Sequence, residues 1–95
     1  MMAALLHGEH FDKAALPSSI EYFAGIGNPL HGRGAWRDAM CPFHGDTRPS
    51  LRVKVETGSW RCMACGAHGG DVLAFEMQRT GRGFRDAAQA LGAWR

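Results

Sequence analysis

Along residues 50–55 apolar and polar positions alternate strictly, with Leu51, Val53 and Val55 set against Ser50, Arg52 and Lys54. A period of two predicts a strand with one face buried and the other wet. Glu56, Thr57 and Gly58 have turn chemistry, and residues 59–62 return as a partner strand carrying Trp60, so the middle of the chain reads as an antiparallel hairpin. Upstream, Ser18 followed three positions later by Glu21 has the spacing of a capping box, opening a short helix through Ile20, Tyr22 and Phe23 that Gly25 ends. The glycine-rich stretch 25–34 then predicts a loop feeding a strand over 35–40. Downstream, Asp71 stands where an N-cap is needed for a helix with Val72, Leu73, Phe75 and Met77 on its apolar side, stopped by Thr80 and Gly81. Phe84, Ala87, Ala88 and Leu91 recur at i, i+3, i+4 and i+7, the face of a second amphipathic helix ending at Gly92. Residues 1–16 show no clean period and Pro17 breaks the chain, which predicts an arm or weak helix over 1–17 and a folded domain over 18–95.

Ninety-five residues that are 45% hydrophobic make one small domain whose core alone is thin, so an added staple is expected. The chemistry for one lies in two x2-spaced pairs, Cys41-Pro-Phe-His44 and Cys62-Met-Ala-Cys65, which the hairpin between them can bring to one point. Three thiolates and an imidazole in a tetrahedron suit one Zn²⁺. His68 follows Cys65 at the same x2 spacing, but two ligand pairs on two knuckles is the ordinary zinc-ribbon solution and favours His44. Four protein ligands leave no open position, so the zinc is expected to be structural and no catalytic residue is assigned. The competing readings are a Cys62–Cys65 redox pair, which lacks its βαβ context, and a deaminase signature from His7-Gly-Glu9 with Cys62 and Cys65. The latter fails because Arg61, not proline, precedes Cys62 and because Cys41 and His44 are left unused.

Charge narrows the partners only mildly. Eleven basic residues against nine acidic ones give +2, which permits a polyanion without requiring one, and all the basic residues except Lys13 and Lys54 are arginines, the better phosphate fork. Arg52 and Lys54 share the wet face of a strand, Arg48 precedes it, and Trp60 with Arg61 lies on the paired strand. Basic tracks with aromatic platforms are what single-stranded nucleic acid binds, although Trp60 beside a ligand also suits a core position and Arg61 suits an offset to the charge of a three-thiolate site. Arg79, Arg82 and Arg85 read as solvated surface or as complements to a helix C-terminus. No run of about 18 apolar residues and no basic leader with an apolar core occurs, so a membrane partner is not expected and the setting is taken as cytoplasmic.

The string Cys41-Pro-Phe-His44 with Pro49-Ser50, followed by Trp60-Arg61-Cys62-Met-Ala-Cys65-Gly66-Ala-His68-Gly69-Gly70-Asp71, closely resembles the N-terminal zinc-binding domain of bacterial and phage DNA primases. The likeness runs from about Ser19 to Leu91. It implies a small α+β fold, a zinc ribbon on an antiparallel β-sheet with short flanking α-helices, with Cys41, His44, Cys62 and Cys65 as ligands. It also implies a part in recognising the single-stranded DNA template when primer synthesis starts, in the replication of a plasmid, phage or integrative element. Primases of this family continue into a polymerase domain with an acidic metal-binding cluster. The acidic residues here are scattered, so a separate primase polymerase or helicase subunit is the expected partner. The rival expectation is an interaction ribbon that docks onto a replication protein.

Overall fold

The computed structural model describes residues 9–45 and 48–95. Its centre is a four-stranded antiparallel sheet in the order β1 (Trp36–Ala39), β2 (Leu51–Lys54), β3 (Trp60–Cys62) and β4 (His68–Gly69). The alternation over 50–55 is realised in β2, where Leu51 and Val53 are buried and Arg52 is exposed. β4 was not foreshadowed: two residues carry no readable period, and the strand exists because Cys62 donates its N–H to the Ala67 carbonyl (2.7 Å) at the end of the turn that leads into it.

The buried face of the sheet is covered by α1 (Ser19–Gly25) and α2 (Val72–Thr80). Both begin as their sequences dictate. Ser18 Oγ accepts from the N–H of Glu21 (3.1 Å) while the Glu21 carboxylate reaches back to the Ser18 N–H, and Asp71 Oδ1 accepts from the N–H of Ala74 (2.9 Å). Gly81 closes α2 at φ 77°, the left-handed region where a side chain would strain. Between these layers Phe75 is the hub, in contact with Phe23, Trp60 and Phe43 at centroid separations of 4.7, 4.9 and 5.3 Å. A second cluster, Leu73 with Ala87 and Ala88, joins α2 to α3 (Phe84–Ala90).

Two non-local arrangements lie outside what periodicity can reveal. The free edge of β1 is closed by the loop before it: Asn28 donates to the Met40 carbonyl (2.7 Å) and accepts its N–H (3.1 Å), and His31 exchanges two backbone bonds with Asp38. A covered edge cannot pair with another chain. Residues 10–12 run antiparallel to 93–95, with Asp12 N–H on the Ala93 carbonyl (2.7 Å), Arg95 N–H on the His10 carbonyl (2.9 Å) and Arg95 Nε on Asp12 (2.6 Å). Phe11 packs edge-on to Phe84, and Arg85 lies 5.2 Å above the Trp94 ring while pairing with Glu9 (2.6 Å). The part of the expected arm that is described, residues 9–17, is therefore packed and contains a single 3₁₀ turn at Lys13–Ala15. Residues 1–8 lie outside the described residues.

The arginines of α2 and the turn after it are not a simple wet surface either. Glu76 is only 4% exposed, and its carboxylate accepts from Tyr22 Oη (2.7 Å) and Arg79 Nη2 (2.7 Å), with Arg82 Nη1 at 3.6 Å. Burial opposes the charged carboxylate, yet these donors and the two guanidinium charges hold Glu76 below the usual carboxylate range. The i, i+3 spacing of Glu76 and Arg79 is local, but it becomes a buried ion pair only because Tyr22 of α1 closes over it.

Candidate metal centre

The first knuckle, residues 41–44, leaves the end of β1, and the second starts on the last residue of β3. Pairing of β1 with β2 and of β2 with β3 places Ala39, Leu51 and Cys62 in one cross-strand row, which draws the two knuckles together. Phe43, inside the first knuckle, packs on Trp60 (5.6 Å) and Phe75 and so ties it to the core. The second knuckle closes by Gly66 N–H on the Cys62 carbonyl (3.0 Å). The ligand atoms of Cys41, His44, Cys62 and Cys65 consequently all lie within 4.8 Å of one another. A tetrahedron with Zn–S near 2.3 Å has an S···S edge of about 3.8 Å, and Cys41 Sγ stands 3.8 Å from Cys65 Sγ. His44 Nε2 is 3.3 Å from Cys62 Sγ.

The surroundings treat the three thiols differently. Burial pushes Cys41 up to about 12, helped by the neighbouring sulfurs of Cys62 and Cys65. Burial also opposes ionisation of Cys62, but the Ser50 hydroxyl (3.4 Å), the N–H groups of Cys65 and Ala64 (3.3 Å each) and His44 overrule it and bring Cys62 down to about 5. These donors point at the sulfur as they would at a metal thiolate. A full set of three thiolates at one point needs a cation to hold it, and the soft donor set fits Zn²⁺. Ser50, just before β2 and also 3.5 Å from His44 Nε2, is a supporting residue that spacing arguments pass over, since a serine carries no metal signal.

His68 is not part of this cluster. It lies on β4, exposed, with Nδ1 3.1 Å from the Gly66 carbonyl. Arg61 is likewise not the partner of the thiolate charge: cross-strand pairing places it with Arg52 and His68 on the outer face of the sheet, whereas Cys62 points inward. Trp60 requires a correction. Two residues before Cys62 on the same strand, it shares the inward face, is 2% exposed, and donates Nε1 to the Asp71 carbonyl (3.0 Å), so its ring cannot stack on a base. The exposed aromatic of the sheet is Trp36 on β1, 43% accessible and paired with Lys54. Arg48 is exposed in the segment entering β2. His7 of the deaminase-like string lies outside the described residues, and Glu9 pairs with Arg85, away from the thiols.

Residues 25–94 match the CHC2 zinc finger. The chain belongs to the CHC2 zinc-finger family. Zinc is the ion that this CHC2 finger is built to hold, one per domain, on a donor set with no vacant place for a substrate. The finger is 39% identical over 67 residues to a DNA primase of Legionella pneumophila, covering 70% of this chain and 12% of the relative. It is 36% identical over 78 residues to a DNA primase of Chlamydia trachomatis, covering 80% of this chain and 13% of that one. The CHC2 finger thus corresponds to about an eighth of the length of these relatives. It also superposes on the crystal structure of the Aquifex aeolicus primase zinc-binding and RNA polymerase domains with a TM-score of 0.61 and 26% identity, over 81% of this chain and 21% of that chain. The small α+β fold, a zinc ribbon on an antiparallel sheet with flanking helices, is therefore that of a primase zinc-binding domain. Among the described residues no helix is long and apolar enough to cross a membrane.

Proposed function

We propose that this CHC2 finger binds single-stranded DNA template for a primase, using the outer face of the sheet, with the zinc as a structural staple behind it. The observation that carries this reading is a cross-strand row. Asp38, Arg52, Arg61 and His68 are successive partners across β1 to β4, and Trp36 with Lys54 forms the adjoining row on the same face. Residues paired across strands project to the same side. Arg52, Arg61 and Lys54 supply phosphate-binding charge, Trp36 supplies a stacking surface, and Arg48 extends the basic track toward the first knuckle. The relatives named as DNA primases support a template as the polyanion. Among the described residues the one cluster able to hold a metal is the closed four-ligand set, so the polymerase step is assigned outside this zinc ribbon, to the primase polymerase it serves, with a helicase as the other replication partner.

Fluorescence anisotropy with a labelled single-stranded oligonucleotide over a salt series tests this. Contact with about two to four phosphates gives a log–log slope of roughly −1.4 to −2.8, and replacing Arg52 and Arg61 together by alanine should remove roughly 1.4 of it. No binding at low salt by the zinc-loaded protein would refute the template reading. Capture of a polymerase subunit that is unaffected by the Arg52→Ala, Arg61→Ala double variant, in a protein without DNA affinity, would establish docking instead.

A further inference from the structure

The outer row has one feature that phosphate binding does not use. His68 Nδ1 stands 3.1 Å from the Gly66 carbonyl, and a carbonyl only accepts, so Nδ1 carries the proton and the neutral ring keeps its lone pair on Nε2. That lone pair belongs to the fourth member of a row whose middle members, Arg52 and Arg61, are donors only. The other acceptor in the row, Asp38, is engaged by Arg52 Nε at 2.8 Å. Phosphate oxygens are acceptors and gain nothing from Nε2.

His68 is also held in place. Its strand pairs with β3, its carbonyl accepts from Gln78 Nε2 of α2 (3.2 Å), and Gly69 behind it lies against the Trp60 indole. A fixed tautomer on a fixed backbone is what reading a base edge demands.

We infer that His68 is a specificity-determining residue of this face: its Nε2 accepts a hydrogen bond from an exocyclic amino group of a template base, a group that cytosine, adenine and guanine carry and thymine lacks. The inference rests on the outer face being the template surface. From Asp38 to His68 the row spans about 14 Å, three strand spacings, so a strand whose phosphates lie along Arg52 and Arg61 brings a base to the β4 end.

The test compares zinc-loaded full chain on oligo(dC) and oligo(dT) of equal length, which present the same phosphates. Wild type should bind oligo(dC) about three- to tenfold more tightly, the contribution of one hydrogen bond. His68→Phe should bring oligo(dC) binding down to the oligo(dT) value while leaving oligo(dT) affinity, the salt slope and one equivalent of zinc unchanged. His68→Gln, whose amide oxygen accepts, should restore part of the preference. Equal wild-type affinity for the two oligonucleotides, or a preference that survives His68→Phe, overturns the inference while leaving the template reading intact. Failure of wild type to bind either oligonucleotide overturns both.

Discussion

Gly69 lies so close to the indole of Trp60 that a Cβ added to it would stand 2.6 Å from Cζ2 of Trp60. The missing side chain lets the two-residue strand β4 lie flat on β3, with Trp60 beneath it completing the core around Phe75. Gly69→Ala should therefore destabilise the domain by about 1–3 kcal/mol through overpacking, read as a lower unfolding midpoint in urea. Adding Trp60→Phe, which removes the atoms in conflict, should make the cost of Gly69→Ala smaller than in the wild-type background. Equal costs in both backgrounds would show that the contact with Trp60 is not its cause.

The Asp38–Arg52 pair, at 2.8 Å and half exposed on both sides, offers a gain-of-function test. An exposed pair contributes only about 0–1 kcal/mol, so Asp38→Ala should hardly change stability. It removes a negative charge from the proposed template face and leaves Arg52 unshared. Affinity for single-stranded DNA should rise about two- to fivefold, with the salt slope unchanged because Arg52 already counts among the phosphate contacts. Unchanged or weaker binding would place the strand elsewhere.

Tyr22 makes stability sensitive to alkali. Burial first, and then its hydrogen bond to Glu76, push the phenol well above its ordinary value. A group whose folded pKa is raised contributes stability that is fully present below its unfolded value, about 10, and is lost as pH climbs beyond it. Tyr22 is the only tyrosine in the chain, so phenolate absorbance reports it directly. Ionisation should be absent near pH 10 and should appear at higher pH together with unfolding, and Tyr22→Phe should flatten the alkaline fall in stability. An ordinary phenol titration in folded protein would contradict the buried Tyr22–Glu76–Arg79 arrangement.

How much of this was legible beforehand follows from the range of each signal. The two knuckles were readable because the chemistry sits at a fixed x2 spacing, and β2, α1 and α2 were readable because alternation and capping are local. The orientation of Trp60 was also within reach: it stands two residues from Cys62 and therefore shares its face, a parity argument that outweighs the appeal of an aromatic beside basic residues. Trp36 gave no such handle, since Trp-Arg-Asp-Ala has no alternation that says which side faces water. The closure of 10–12 against 93–95 and the burial of Glu76 depend on contacts distant in sequence, which leave no periodicity behind.

The most direct test of the central claim is a chelator titration of the purified protein that follows released zinc, circular dichroism and single-stranded DNA affinity together. One equivalent of zinc should leave, and fold and affinity should be lost in step with it, because metal binding in a small ribbon is folding free energy. Protein that has lost its zinc yet keeps both its fold and its DNA affinity would contradict the account.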